Sequence, residues 1–217
     1  MINLVMFEVA MLFVKQVKPD HLGIKDFRSL ITLIQDYFHF DEDLIRDYLT
    51  HKDILYLLID KERDNKIVGL VGCRYLECDN HYIIYVGTTV VEPQYQRNGF
   101  LYNVLFDQVI KAYLKHPFKE KYITASLTTA KVYNALRNFK RCYPRDDAKA
   151  PPEVLTVMDE VLKQVLPHAE HIRDGDVCII RALRYKYFRS PIVEKDVCSH
   201  NVYFENVILN FFMFVFL

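Results

Sequence analysis

Apolar residues along the chain recur with a strand's period in some stretches and a helix's in others, and polar runs separate the two. The opening stretch MINLVMFEVAMLFVKQV has strand composition. Pro19-Asp20 begins a helical region in which Ile24, Phe27, Ile31, Ile34 and Phe38 fall roughly on one side. Phe40 to Asp43 interrupts it, and Asp41 is placed to cap a short second helix through about Leu49. Ile54 to Glu62 and Ile67 to Cys78 predict two strands joined by the turn Arg63-Asp64-Asn65-Lys66. Asp79-Asn80 then leads into a third, Tyr82 to Val91, so the three read as an antiparallel meander. Gly69, Gly72 and Gly87 sit inside these strands, where glycine marks a bulge or a close approach of another group.

Pro93 cannot donate to a sheet ladder, which ends the third strand of the meander. From Leu101 the residues Leu101, Val104, Leu105 and Val109 share a helix face, and His116-Pro117-Phe118 stops that helix. Tyr122 to Thr128 predicts a short strand, and a strand, helix, strand order with this crossover length implies a parallel pair. Thr128-Thr129 is placed to cap a helix from Ala130 to Phe139. Pro151-Pro152 opens another helix, with Val154, Met158, Val161, Leu162 and Val165 on one face and Pro167 beyond its end. Val177 to Phe188 and Val202 to Phe216 predict the last two strands. The chain therefore reads as one α/β (α+β) domain over residues 1–217, with about 140–176 as an elaboration.

Composition narrows the function classes. At 217 residues and 51% hydrophobic, the chain is long enough for one well-buried core and cramped for two. A formal net charge of zero provides no basic field, so no nucleic-acid partner is expected. The 5 cysteines are scattered without a C-x-x-C pair, which argues for buried thiols in a reducing, cytoplasmic setting and against a disulfide framework or a metal site. The N-terminal run lacks a basic n-region and carries Glu8, so it is read as a strand and not as a leader. The apolar end from Val207 to Leu217 is far short of the roughly 20 residues a membrane-crossing helix needs, so no transmembrane segment is expected.

The chemistry is concentrated between the third strand of the meander and the helix that follows it. Gln96-Arg97-Asn98-Gly99-Phe100 joins a strand end to a helix start, where main-chain N–H groups have no partner within the helix. The helix dipole makes such a place locally positive, and a phosphate is its natural ligand. The order V-x-P-x-Y-Q-R-N-G-F resembles the acyl-CoA signature of the GNAT superfamily of N-acetyltransferases, Q/R-x-x-G-x-G/A after a strand ending in V-x-P. Val91 and Pro93 match the strand end, Gln96 the Q/R position and Gly99 the first glycine. Leu101 stands where the family places a second glycine or an alanine.

The resemblance implies a mixed, mostly antiparallel central sheet of about seven strands, with a splayed parallel pair in the middle and helices on both faces. It implies that Gln96, Arg97, Asn98, Gly99, Phe100 and Leu101 cradle the pyrophosphate of acetyl-CoA or another short acyl-CoA. Thr89, Val90 and Val91 would run beside the pantetheine arm, and a bulge at Gly87 would open the gap for it. It further implies direct attack by an amine, borne by a small molecule or a protein, in a ternary complex. Tyr133 is the candidate donor to the leaving thiolate, although the family pattern Y-x-x-x-G-F is stretched here: Tyr133 and Phe139 are six apart and Asn138 replaces the glycine. Glu92 is the first candidate base, with neighbours that suggest a solvent-facing side chain, and Glu77, Asp79, His81 or a water chain are alternatives. His168 and His171 read as surface histidines, Asp41-Glu42-Asp43 as a helix-capping cluster, and Arg137, Lys140, Arg141 and Arg145 as a wet helix end. Two other readings stand beside the N-acyltransferase: an acyl-CoA-binding module of the same fold, and an unrelated α/β interaction domain.

Overall fold

The run ILYLLID, apolar up to its closing aspartate, is the centre of the first unit. It forms strand β2 (Ile54–Asp60), all of whose residues are buried, the outcome expected when a short apolar run has no polar face to offer water. The computed structural model describes residues 12–38, 40–78, 80–127, 141–143, 149–165, 170–174, 177–181 and 208–216. These belong to two compact units, one from Met1–Arg74 with Val86–Leu114 and one from Tyr75–Tyr85 with Lys115–Leu217.

In the first unit, β2 lies between β1 (Leu12–Val17) and β3 (Lys66–Cys78), with β4 (His81–Val91) next in the order β1-β2-β3-β4. Both β2 pairings are antiparallel: Leu12 faces Asp60 and Val17 faces Leu55 on one side, and Ile54 faces Cys73 on the other. The β2–β3 register shifts between Leu58 and Ile59. Strand alternation sends Leu55, Leu57 and Ile59 to one face. There they pack with Leu30, Ile31 and Ile34 of α1 (Ile24–Gln35) and with Ile45 and Leu49 of α2 (Glu42–Thr50). The Asp41 side chain accepts from the Leu44 N–H at 2.7 Å and caps α2, as the sequence predicts.

The opposite β2 face presents Tyr56 and Leu58, and α3 (Phe100–Lys115) packs there through Phe100, Val104, Leu105, Gln108 and Ala112. Tyr56 is buried, donates to Asp107 Oδ2 at 2.5 Å and accepts from Gln108. A buried hydroxyl is thereby satisfied. Helices cover both faces of this part of the sheet, as expected.

In the second unit the strand order is the end of β3, the start of β4, then β5 (Glu120–Leu127), β9 (Ile208–Phe216), β8 (Val177–Arg181) and β7 (Glu170–Asp174). The two-residue β6 (Cys142–Tyr143) pairs with β9. The final strand is thus inserted between β5 and β8 and is antiparallel to both. β4 and β5 are neighbours joined through α3, the crossover that a parallel pair requires, in an otherwise mostly antiparallel sheet. Helix α4 (Pro152–Val165) buries Val154, Val157, Met158, Val161 and Leu162 against Ile83, Tyr85 and Tyr122.

The described residues hold nine strands beside the expected number of about seven. The two additions, β6 and β7, fall in the 140–176 elaboration: one is too short to show any period, and the other reads EHIRD. The expected helix from Ala130 to Phe139 lies outside the described residues, as do residues 182–207. Among the described residues no helix is long and apolar enough to cross a membrane.

Candidate cofactor-binding site

The site begins where β4 ends. Val86, Thr88 and Val90 are buried, while Gly87, Thr89 and Val91 are half-buried. The carbonyl of Gly87 accepts a hydrogen bond from the Tyr48 hydroxyl of α2 at 2.5 Å. The Glu92 N–H donates to Val68 O at 2.9 Å. Pro93 then opens a single 3-10 turn, Pro93–Tyr95, closed by Tyr95 N to Glu92 O at 2.9 Å and Gln96 N to Pro93 O at 3.2 Å.

Beyond this turn the backbone becomes left-handed twice, with φ of 65° at Arg97 and 79° at Gly99. Glycine adopts that conformation without strain, and an arginine does not. A methyl group at Gly99 would have only Asn103 Nδ2 within 4 Å, at 3.8 Å, so the glycine serves backbone conformation and leaves open space beside it. The Asn98 side chain accepts from the Phe100 N–H at 3.0 Å, taking one orphan donor of the helix start. The ladder of α3 begins with Asn103 N to Gly99 O at 2.9 Å. Gln96 and Arg97 are exposed, Asn98, Gly99 and Leu101 half-buried, and Phe100 buried. The Gln96 side chain donates back to Val91 O at 3.0 Å.

Phe100 anchors the loop to the sheet. A methyl group at Gly69 would lie 3.1 Å from Leu58 Cβ and 3.4 Å from Phe100 Cε1. The glycine in β3 therefore makes room for the ring that begins α3, which is the close approach its place in a strand foretells. The loop fits a diphosphate in kind: left-handed main chain, an exposed guanidinium, open space beside Gly99, and the start of a 16-residue helix.

Glu92 does not face solvent. It is 6% exposed, with Oε2 accepting from Arg63 Nη1 at 2.9 Å and Gln94 Nε2 at 3.0 Å, and Oε1 from Lys66 Nζ at 2.5 Å. The cause is the β2–β3 hairpin turn, which brings two cations to the strand end and draws the carboxylate inward. Tyr95 belongs to the same network: its hydroxyl donates to Asp60 Oδ2 and lies 3.3 Å from Arg63 Nη1. Asp60 Oδ1 accepts from Glu62 N at 2.9 Å. The Tyr95 hydrogen bond, then the main-chain donors of Glu62 and Arg63, hold the Asp60 carboxyl below the usual carboxylate range. Burial first, then the charges of Glu92 and Asp36, push the Tyr37 phenol up. Asp60, Arg63, Lys66 and Tyr95 were not singled out from the sequence, because only the hairpin's register brings them together.

The remaining candidates are dispersed. Glu77 pairs with Lys119 at 2.6 Å, and His81 faces Glu120 at 3.3 Å. Tyr133, Asp79 and His168 lie outside the described residues. Asp41 is committed to its cap, and Glu42 to Arg46 at 2.5 Å. Cys73 is buried, and burial pushes its thiol up to about 12, so it is not a nucleophile near neutrality.

No protein-family model and no curated protein matches the sequence. Solved structures do. Arabidopsis thaliana NAA60, in complex with a bisubstrate analogue, is similar at 11% identity with a TM-score of 0.46, over 94% of this chain and 100% of that one. A GNAT-family N-acetyltransferase of Escherichia coli, in complex with CoA, has 11% identity and a TM-score of 0.43, over 60% and 69%. A GNAT-family acetyltransferase of Streptococcus pneumoniae has 20% identity and a TM-score of 0.38, over 60% and 89%. Two of these three are named as GNAT-family acetyltransferases.

Proposed function

We propose that this chain is an acyl-CoA-dependent N-acyltransferase, using acetyl-CoA or another short acyl-CoA to acylate an amine on a small molecule or a protein. The observation that carries the reading is the loop after β4. It turns left-handed at Arg97 and Gly99 and opens onto the start of α3, in the order V-x-P-x-Y-Q-x-x-G. In this reading the loop's main-chain N–H groups between Arg97 and Leu101 hold the diphosphate, apart from that of Phe100, which Asn98 Oδ1 takes as Pro93 O takes that of Gln96, with Arg97 adding a charge-assisted contact. Thr89, Val90 and Val91 flank the pantetheine arm. Bound acyl-CoA supplies a thioester carbonyl, which the amine nitrogen attacks as the carbon–sulfur bond breaks.

Tyr133 is the proposed hydrogen-bond and proton donor to the departing thiolate. A phenol of pKa about 10 facing a thiolate near 8.5 transfers its proton uphill by roughly 2 kcal/mol in water, so its benefit lies chiefly in stabilising developing charge. Glu92 was the first candidate base. Both of its oxygens already accept from Arg63, Lys66 and Gln94, so we assign it to the loop's support and the amine's proton to water. The buried thiols of Cys73, Cys78 and Cys142 accord with a reducing, cytoplasmic setting.

Calorimetry with coenzyme A tests the reading: binding is expected, and the absence of heat at millimolar ligand overturns it. Thiol release from acetyl-CoA with a panel of amines then tests catalysis. Tyr133→Phe is expected to lower turnover at least tenfold with coenzyme A affinity unchanged, and equal turnover would remove Tyr133 from the mechanism. The engaged state of Glu92 favours one second reading, an acyl-CoA-binding module without chemistry. Binding without thiol release from any amine would establish it.

A further inference from the structure

We infer that the β2–β3 hairpin is a working part of the cofactor site, with Asp60, Arg63, Tyr95 and Glu92 as positioning residues for the phosphate loop. The inference rests on the acyl-CoA reading above and deepens it.

The 3-10 turn Pro93–Tyr95 is closed by Tyr95 N to Glu92 O and Gln96 N to Pro93 O, and its main chain is held to β3 at its start by Glu92 N to Val68 O. Side chains add the ties beyond that first residue. The Tyr95 hydroxyl reaches Asp60 at the end of β2, and the Glu92 carboxylate reaches Arg63 and Lys66 across the hairpin. Arg63 touches both, 2.9 Å from Glu92 Oε2 and 3.3 Å from the Tyr95 hydroxyl. The hairpin that presents these groups is itself fixed. Asp64 and Asn65 are left-handed at φ 52° and 56°, Lys66 N bonds Arg63 O at 3.0 Å, and Asp60 Oδ1 holds Glu62 N.

The consequence follows from where this clamp sits in the chain. Residues 96–99 run between the clamped turn and the buried Phe100, which is held in the space left by Gly69. Two fixed ends confine a short segment that includes a left-handed arginine. Each residue ordered only on binding would cost the complex backbone entropy. A loop ordered beforehand spares the ligand that cost, which is the usual gain from preorganisation. None of the four side chains needs to touch the ligand. Their effect is on the main-chain donors, so it should appear for ligands that carry the diphosphate and be missing for those that lack it.

Tyr95→Phe removes one hydroxyl and keeps the ring. Calorimetry of wild type and variant with coenzyme A and with pantetheine, which lacks the diphosphate, separates positioning from general stability. The expected result is a coenzyme A affinity about tenfold weaker, unchanged pantetheine affinity, and faster amide exchange over residues 94–101. Arg63→Gln keeps the Asp60–Tyr95 and Lys66–Glu92 contacts, and serves as the second variant should the first not fold. Its expected loss is smaller and equally selective for coenzyme A. Coenzyme A affinity within twofold of wild type in the folded variant, or equal losses for both ligands, overturns the inference and leaves the acyl-CoA reading intact. Failure of the wild-type chain to bind coenzyme A overturns both.

Discussion

Arg97 is held in a conformation that costs an ordinary side chain about 1–2 kcal/mol, and its side chain is exposed. An exposed side chain gains little from packing, so its value should lie in charge and not in stability. Arg97→Gly is therefore expected to raise stability in urea by up to about 1 kcal/mol and to weaken coenzyme A binding severalfold by calorimetry. Unchanged affinity would reduce Arg97 to a solvated turn. Lys52 offers a different single-residue test. It is buried, its stem crosses Gly72, and its Nζ lies 3.7 Å from the centroid of the Tyr48 ring. Burial first, then Arg74, lowers its pKa to about 8. Below that value the residue is charged in both folded and unfolded states, and the burial penalty is fully present. As pH rises from about 8 toward the ordinary lysine value, the native state releases its proton while the unfolded state keeps it. Stability should thus rise with pH across that window, and Lys52→Met should remove the rise in a difference of urea titrations at several pH values. Parallel profiles for the two proteins would place the charge outside a desolvated site.

Among the elements, α3 carries the largest functional demand, because its first residue must sit at a fixed place against β3. Gly69 and Phe100 set that place, and a methyl group at Gly69 would stand 3.1 Å from Leu58 Cβ. Gly69→Ala is expected to destabilise by roughly 1–3 kcal/mol through overpacking. It should also weaken coenzyme A binding, because the displaced Phe100 carries the loop with it. A stability loss with affinity preserved would separate the packing of α3 from the site. The helix face was legible in part from spacing: of Leu101, Val104, Leu105 and Val109, expected together, Val104 and Leu105 are buried and the other two half-buried. The partner of that face was not legible, since Gly69 lies 31 positions before Phe100 and shows only as a glycine in a strand. The same holds for the carboxylate of Glu92. Its place after the strand suggested solvent, whereas its ion pairs come from residues 26 and 29 positions away.

For the molecule as a whole, a ligand that binds only the native state must raise stability by mass action. At a coenzyme A concentration of about a hundred times Kd the gain is about 2.7 kcal/mol, which for a chain of this size corresponds to a rise of roughly 5–10 °C in Tm. A thermal scan without such a shift, at a concentration that calorimetry shows to be saturating, would mean that the unfolded chain or an aggregate takes up the ligand. Local order was written in the chain itself: the meander, the cap at Asp41, the apolar face of α4 and the strand, proline, loop and helix order all depend on residues a few positions apart. Steric preference and period act at that range, so they can be read directly. The insertion of β9 between β5 and β8, the clamp from Asp60 and Arg63 to the loop, and the inward turn of Glu92 were decided only by tertiary structure. Each depends on which distant residues a sheet's register places side by side, and no single stretch of sequence carries that information.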